Sequence, residues 1–138
     1  MGKFDGQCLC GSLTYTCDAD PMMTAICHCL DCQRQSGAAY SVNVVVAEDE
    51  FHLSGDTAKT YKTTGVESGA ERERVFCANC GSPIFTRLHD MPGVLAVKAG
   101  TLLDHTEVAP EAELWTKRAH AWLQNDEERG LFETGLPT

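Results

Sequence analysis

Short stretches of alternating hydrophobic and polar residues recur along the chain and predict β-strands. Residues Ser12–Cys17 alternate strictly, which places Leu13, Tyr15 and Cys17 on one face of a half-buried strand. Residues Ser41–Ala47, with the sequence SVNVVVA, are rich in β-branched side chains and predict a buried strand. This dominant period of two indicates a mainly β protein.

Further segments have the length and composition of strands, namely Phe51–Ser54, Thr60–Thr64, Arg74–Cys77, Ile84–Leu88, Val94–Ala99 and Glu113–Lys117. One helix is predicted from Leu30 to Gly37, with Cys32 on its first turn. The acidic stretch Asn125–Glu128 is expected to be a solvated turn. Short strands at this spacing predict an all-β sandwich or barrel-like arrangement, and without an evident linker we expect one domain over residues 1–138.

The length, the first residues and the net charge indicate which partners and which cellular compartment to expect. The chain has 138 residues, and no apolar run approaches the roughly 20 residues that a membrane-spanning helix needs. The first residues, MGKFDG, lack an apolar signal segment, so a cytoplasmic location and no membrane partner are expected. The formal net charge of −9 at pH 7 repels phosphate backbones, and no nucleic-acid partner is expected.

Seven of the eight cysteines lie in three tight clusters, within residues 8–10, 27–32 and 77–80. In a reducing compartment, cysteines at such spacings bind metal more readily than they form disulfides. A short loop can direct two sulfurs to one point, and soft sulfur donors in near-tetrahedral reach are preferred by Zn²⁺. The clusters divide into one set of four sulfurs and one set of three.

The four-cysteine set, which comprises Cys8, Cys10, Cys77 and Cys80, predicts a structural zinc site. A metal held there would join the N-terminal region to the middle of the chain. Closing such a long loop stabilises a small β domain. Gly81 directly after the last cysteine is suited to a tight knuckle, in which backbone N–H groups approach sulfur.

The three-cysteine set, which comprises Cys27, Cys29 and Cys32, predicts a second zinc with one coordination position open. Three protein ligands and an open position are typical of catalytic zinc sites. A substrate thiol that enters such a position is deprotonated. The second site is therefore suited to capturing and activating a thiol.

Three residues could instead close the open position and make the second site structural: Cys17, His28 and Asp31. Cys17 shares a strand face with apolar residues and is expected in the core. His28 lies between two ligands, so its side chain is expected to point away from the metal. Asp31 is expected to cap the helix or to contact a ligand.

These clusters and the residues around them resemble the glutathione-dependent formaldehyde-activating enzyme (GFA) family, also described as the centromere protein V/GFA-type domain. Three motifs in order carry the resemblance: CLCGSL from Cys8, CHCLDCQRQSGA from Cys27 and RVFCANCGS from Arg74. The AGTL segment from Ala99 and the segment Trp115–Trp122 are similar to the family's tail. The resemblance extends over nearly the whole chain.

The resemblance implies a β-tent fold, two crossed antiparallel sheets with little helix, related to a small chaperone of Rab GTPases. It implies two zinc ions per chain, a structural one on the four-cysteine set and a catalytic one on the three-cysteine set. It further implies carbon–sulfur lyase chemistry on glutathione or another thiol and a small aldehyde. In that chemistry, glutathione and formaldehyde join as S-hydroxymethylglutathione, or the adduct is cleaved.

Glutathione carries two carboxylates, so a binding site for it on an acidic protein needs a local cation. Arg34 is nearest to the three-cysteine set in sequence and is the first candidate for substrate binding. Further candidates to surround the substrate are Arg72, Arg74, Lys98 and, late in the chain, His120 and Trp122, although Trp122 is predicted to be a core residue.

Two other classes of function stay open at this point. The first is a non-catalytic zinc-stabilised module that binds other proteins, which the related chaperone fold suggests. The second is thiol redox chemistry, which needs a cysteine free of metal. Cys17 is the cysteine that lies outside the three clusters.

Overall fold

The computed structural model describes residues 3–124 and 128–137, within which eleven strands form two β-sheets. The strands are β1 (Phe4–Gln7), β2 (Thr14–Cys17), β3 (Met23–Cys27), β4 (Ser41–Ala47), β5 (Phe51–Ser54), β6 (Ala58–Thr64), β7 (Glu71–Cys77), β8 (Pro83–Leu88), β9 (Val94–Lys98), β10 (Ala112–Leu114) and β11 (Gly130–Leu131). Helix α1 spans Leu30–Ser36, and 3-10 turns span Glu48–Glu50, Ala99–Thr101 and Thr116–Arg118. The predicted mainly β, two-sheet fold is confirmed. Most of the acidic stretch Asn125–Glu128 lies outside the described residues.

The two sheets differ in size and in strand direction. The small sheet has the order β1-β2-β5 and is antiparallel. The large sheet has the order β11-β10-β3-β4-β9-β8-β7-β6. In this spatial order, every pair of neighbouring strands between β3 and β6 is antiparallel. Strand β10 is parallel to both β3 and β11, a detail that the sequence did not predict. Residues 115–129, which connect the parallel strands β10 and β11, are numerous enough for the crossover connection that such a pair requires.

The large sheet uses both of its faces, because successive side chains of a strand point to opposite sides. On one face, Val44 and Val46 of β4 are fully buried in the core, which is formed against the small sheet. Aromatic rings join the two sheets. The ring centroid of Phe51 in the small sheet is 5.2 Å from that of Phe85 in the large sheet, and Tyr15 packs beside Phe51 within the small sheet at 4.8 Å. The other face of the large sheet is free to form a site.

Two predictions near the end of the chain are wrong. The strand predicted over Glu113–Lys117 stops at Leu114, because Trp115 adopts a left-handed φ of 58° and a 3-10 turn follows it. Trp122, predicted to be a core residue, is 70% exposed. Among the described residues, no helix combines the length and apolar character needed to cross a bilayer.

Candidate functional site

The four sulfurs of the four-cysteine set lie within 4.8 Å of one another. The Sγ atoms of Cys8 and Cys10 are 3.6 Å apart, and those of Cys10 and Cys77 are 3.8 Å apart. Four sulfurs bound at about 2.3 Å to one tetrahedral ion are roughly 3.8 Å from one another. The set therefore has both the donor chemistry and the dimensions to hold one zinc ion.

Two matching turns present these sulfurs. The Gly11 N–H donates to the Cys8 carbonyl at 3.1 Å, and the Gly81 N–H donates to the Cys77 carbonyl at 2.7 Å. The φ angles of the two glycines are +80° and +81°, a left-handed conformation that side chains disfavour. The tight knuckle predicted at Gly81 is confirmed, and the structure contains a second one at Gly11.

Neighbouring polar groups favour the thiolate form at two of these sulfurs. Hydrogen bonds with Ser82 lower the pKa of Cys80 to about 5. Hydrogen bonds with Ser12, followed by Asn79, lower the pKa of Cys10 to about 7. Because zinc binds thiolates, these contacts reduce the proton competition that metal binding must overcome near neutral pH.

The three-cysteine set lies where β3 ends and α1 begins, and its three sulfurs also lie within 4.8 Å of one another. Cys29 is the N-cap of α1, and its Sγ accepts a hydrogen bond of 3.3 Å from the Cys32 amide. Of the two roles expected for Asp31, the helix cap is wrong, because Cys29 occupies that position, and the contact with a ligand stays a prediction. Asp31 lies in the first turn and accepts a 3.2 Å hydrogen bond from the Val66 amide in the loop after β6.

A line of polar groups connects this set with a buried lysine. Hydrogen bonds from the other two cysteines of the set hold the pKa of Cys32 well below its usual range, and the Lys98 charge and the Ser41 side chain add to this effect. The Ser41 hydroxyl accepts a 3.0 Å hydrogen bond from Asn43 Nδ2, and Asn43 Oδ1 accepts one of 2.7 Å from Lys98 Nζ. The line crosses from α1 over β4 to β9.

A cavity of about 660 Å³ covers the free face of the large sheet, and the three-cysteine set forms part of its wall. Met23, Val45 and Ala96 are paired in register on β3, β4 and β9 and form an apolar part of the floor. Residues 65–68 and 134–137 also line the cavity. None of the four-cysteine set lines this cavity.

The predicted cations are distributed unevenly around the cavity. Arg34 is exposed on α1 and is not among the lining residues, so a substrate contact through Arg34 stays a prediction. The lower-ranked candidates Arg72, Arg74 and Lys98 all line the cavity. His120 and Trp122 do not line it, and they contact each other through a hydrogen bond of 3.2 Å.

The residues that were considered as a fourth ligand for the three-cysteine set lie away from it or contact other groups. Cys17 is 1% exposed in the core and is outside both sets, as predicted. His28 is buried, and its Nε2 lies 2.8 Å from Glu113 Oε1 on β10, so its side chain is engaged away from the set, also as predicted. The described residues add no histidine or carboxylate to the group of three sulfurs.

The sequence interpretation missed several polar residues of the site, namely Gln33, Ser41, Asn43 and Thr86. The signal was present in SVNVVVA, where serine and asparagine interrupt the β-branched run at alternate positions. Polar residues with a period of two within an apolar strand indicate that one face of the strand borders a polar cavity rather than the core.

A mainly β, two-sheet domain with two converging cysteine sets, one of them open to a cavity, defines a class of protein with two candidate metal-thiolate sites. The chain belongs to the glutathione-dependent formaldehyde-activating enzyme (GFA) family, whose profile matches residues 3–118. The predicted family membership is confirmed.

Two further comparisons place the chain among known proteins. It is 31% identical over 88 residues to a Talaromyces marneffei protein named "Putative glutathione-dependent formaldehyde-activating enzyme", and the match covers 64% of this chain. The match covers 46% of that relative, so the chain spans less than half of the relative's length. A crystal structure of a Rhodobacter sphaeroides protein aligns with a TM-score of 0.55 at 17% identity, over 77% of this chain and 91% of that one, which supports the fold alone.

Proposed function

We propose that the protein is a carbon–sulfur lyase that joins glutathione or another thiol to a small aldehyde, or cleaves their adduct. One observation carries the proposal: Cys27, Cys29 and Cys32 converge at the wall of a 660 Å³ cavity, whereas the four-cysteine set does not reach it. The family, and the name of the fungal relative, support glutathione and formaldehyde as the reactants. We place the activity in the cytoplasm, where thiols stay reduced.

The donor sets fit two zinc ions, because both consist of soft sulfurs that converge on one point. Zinc held by the three-cysteine set would supply the positive charge that keeps a substrate thiol in its reactive thiolate form. Zinc held by the four-cysteine set would contribute stability. Because a thiolate-rich ion is a poor Lewis acid, the aldehyde depends on hydrogen-bond donors of the protein for its polarisation.

Hydrogen bonds fix the turn that carries Cys27, Cys29 and Cys32 on two sides. Gln33 Nε2 donates to the His28 carbonyl at 2.7 Å and to the Arg118 carbonyl at 2.9 Å. The buried contact between His28 and Glu113 ties the same turn to β10. Side chains fixed in this way keep the reacting groups oriented. Orientation of the reactants provides much of the rate enhancement of a two-substrate addition.

The test is a titration of the cobalt-substituted protein with glutathione. We expect a saturable change in the thiolate-to-cobalt absorption band, because a substrate thiol would enter the coordination shell of the three-cysteine set. S-methylglutathione, which has no free thiol, serves as the control and is expected to leave the band unchanged. Exchange spectroscopy should then show adduct formation from glutathione and formaldehyde faster than the spontaneous reaction. An unchanged band across a panel of thiols, with one metal per chain, would favour the non-catalytic binding module.

The Cys17→Ser variant separates lyase from redox chemistry. Cys17 is buried in the core and lies outside both metal-binding sets. We therefore expect unchanged turnover of glutathione and formaldehyde, measured at equal zinc content. Loss of activity in a folded, fully zinc-loaded variant would contradict the lyase assignment and support a redox-active thiol.

A further inference from the structure

Two buried cations on the cavity floor have no carboxylate partner among residues 3–124 and 128–137. Lys98 is 8% exposed and Arg74 is 5% exposed, and both line the cavity. Lys98 donates to an asparagine oxygen, and Arg74 donates to Thr63 Oγ1 at 3.2 Å and to Gln35 Oε1 at 3.5 Å, which are all neutral acceptors. Burying a charge without a counter-charge is costly, so such cations are typical of a site that receives an anion.

A neighbouring hydroxyl lacks a partner in the same place. Thr86 is 3% exposed and lines the cavity, and its Oγ1 has no hydrogen-bond partner within the described part of the chain. Buried hydroxyl groups almost always have a partner. A ligand oxygen in the cavity would accept this hydrogen bond.

Strand register brings the three groups to one patch of the floor. Arg74 on β7 is paired with Thr86 on β8, and Thr86 is paired with Ala96 on β9. Lys98 follows Ala96 by two residues and shares its face, so it is a diagonal neighbour of Thr86, about 7–8 Å away between backbones. The small Ala96 side chain leaves space between the polar groups.

The negative charge of the three-cysteine set does not by itself explain why Lys98, Arg74 and Thr86 lie together on the cavity floor. Three thiolates around a divalent ion carry a single net negative charge, which one cation balances. Lys98 is close enough to the set to interact with its charges. Across the described segments of the chain, Arg74 is then still without a counter-charge and the Thr86 hydroxyl without an acceptor.

We propose that Lys98, Arg74 and Thr86 form a carboxylate-binding subsite on the cavity floor, beside the three-cysteine set. The subsite selects reactants that carry a carboxylate of their own, supplied either by the thiol or by the carbonyl compound. Its role in selecting a reactant rests on the proposed lyase function, whereas the binding of a carboxylate does not. Arg72 on the same wall is not part of the subsite, because it already pairs with Asp90 at 2.6 Å.

The experiment measures binding of two carboxylate probes to the zinc-loaded protein by calorimetry. S-methylglutathione carries the carboxylates of glutathione without a free thiol, and glyoxylate is an aldehyde with its own carboxylate. Each is compared with its methyl ester. We expect the Lys98→Met variant to bind at least one acid roughly tenfold or more weakly, because it loses a charge-assisted contact in a buried site. Binding of the esters should be weak and unaffected by the substitution.

Matched variants make the result specific. Lys62→Met makes the same change in charge on an exposed residue of β6 outside the cavity and should leave binding unchanged. Thr86→Val removes the hydroxyl without changing charge and should weaken the same probe. Thermal unfolding at equal zinc content checks that each variant is folded, and Thr86→Val, which keeps Lys98 and its hydrogen bond with Asn43, decides the result if Lys98→Met is destabilised by the loss of a buried partner.

The probe that binds more weakly to the variants shows whether the thiol or the carbonyl compound supplies the carboxylate. Weakening of S-methylglutathione alone assigns the subsite to the thiol, and weakening of glyoxylate alone assigns it to the carbonyl compound. The subsite is overturned if the parent binds neither acid, if the esters bind as tightly as the acids, or if the Lys98→Met and Thr86→Val variants match the parent. Because neither probe has a free thiol, these outcomes are independent of the cobalt titration.

Discussion

The Cys29→Ser variant is expected to keep its fold while it loses the zinc of the three-cysteine set and at least roughly a hundredfold in lyase activity. Cys29 caps α1 through its Sγ, and serine is among the best N-cap residues, so the helix start is preserved. A neutral hydroxyl is a poor replacement for a soft thiolate in the coordination shell. The substitution thus separates metal binding from local folding.

Zinc content by elemental analysis, together with thermal unfolding and adduct formation, checks this expectation. Zinc should fall from two ions to one per chain, with little change in the unfolding temperature. The Cys17→Ser variant makes the same substitution outside both sets and should retain both ions. A Cys29→Ser protein with two zinc ions and full activity would show that the three-cysteine set is not the reacting centre.

The Cys77→Ser variant is expected to lose stability rather than chemistry. Cys77 is fully buried in the four-cysteine set, and it is 67 residues away from Cys10 of the same set. Cross-linking a loop of that length stabilises a fold by roughly 4 kcal/mol in the chain-entropy description. At about 3–4 °C per kcal/mol, the unfolding temperature should fall by roughly 12–16 °C.

Circular dichroism during heating, with and without a chelator, measures this loss. The chelator should lower the unfolding temperature of the parent. It should lower that of the variant much less, because the variant's four-cysteine set is already incomplete. Cys17→Ser is the matched control, because Cys17 is buried in the same core without belonging to either set. Its loss should be about 1 kcal/mol, the scale of burying one imperfectly bonded hydroxyl. Equal losses in the two variants would contradict a metal cross-link at Cys77.

Features encoded by short-range sequence were predicted well. Strands β4 and β5 have the predicted bounds, because a β-branched run and a Gly-Asp turn mark their limits locally. The cysteine sets were predicted because spacings of one or two residues restrict where two sulfurs can point. Strand β3 was missed because it is buried at most positions and lacks the alternation that identifies a half-buried strand.

The polar residues of the cavity depend on long-range pairing, which sequence proximity does not reveal. Arg34 is two residues from Cys32, yet it lies on an exposed side of a short helix. Lys98 is distant in sequence, and the pairing of β3 with β4 and of β4 with β9 carries it to the cavity floor. Asp31 failed as a cap for a similar reason, since a loop amide beyond β6 provides its partner.

The two faces of the large sheet separate residues that shape the cavity from residues that form the core. On β4, Val44 and Val46 contribute to the core, whereas Asn43 and Val45 border the cavity. Mutations that retune ligand preference and mutations that threaten folding therefore fall on alternate positions of one strand. Replacing Asn43 or Val45 therefore changes the cavity without opening the core, whereas replacing Val44 or Val46 opens the core without changing the cavity.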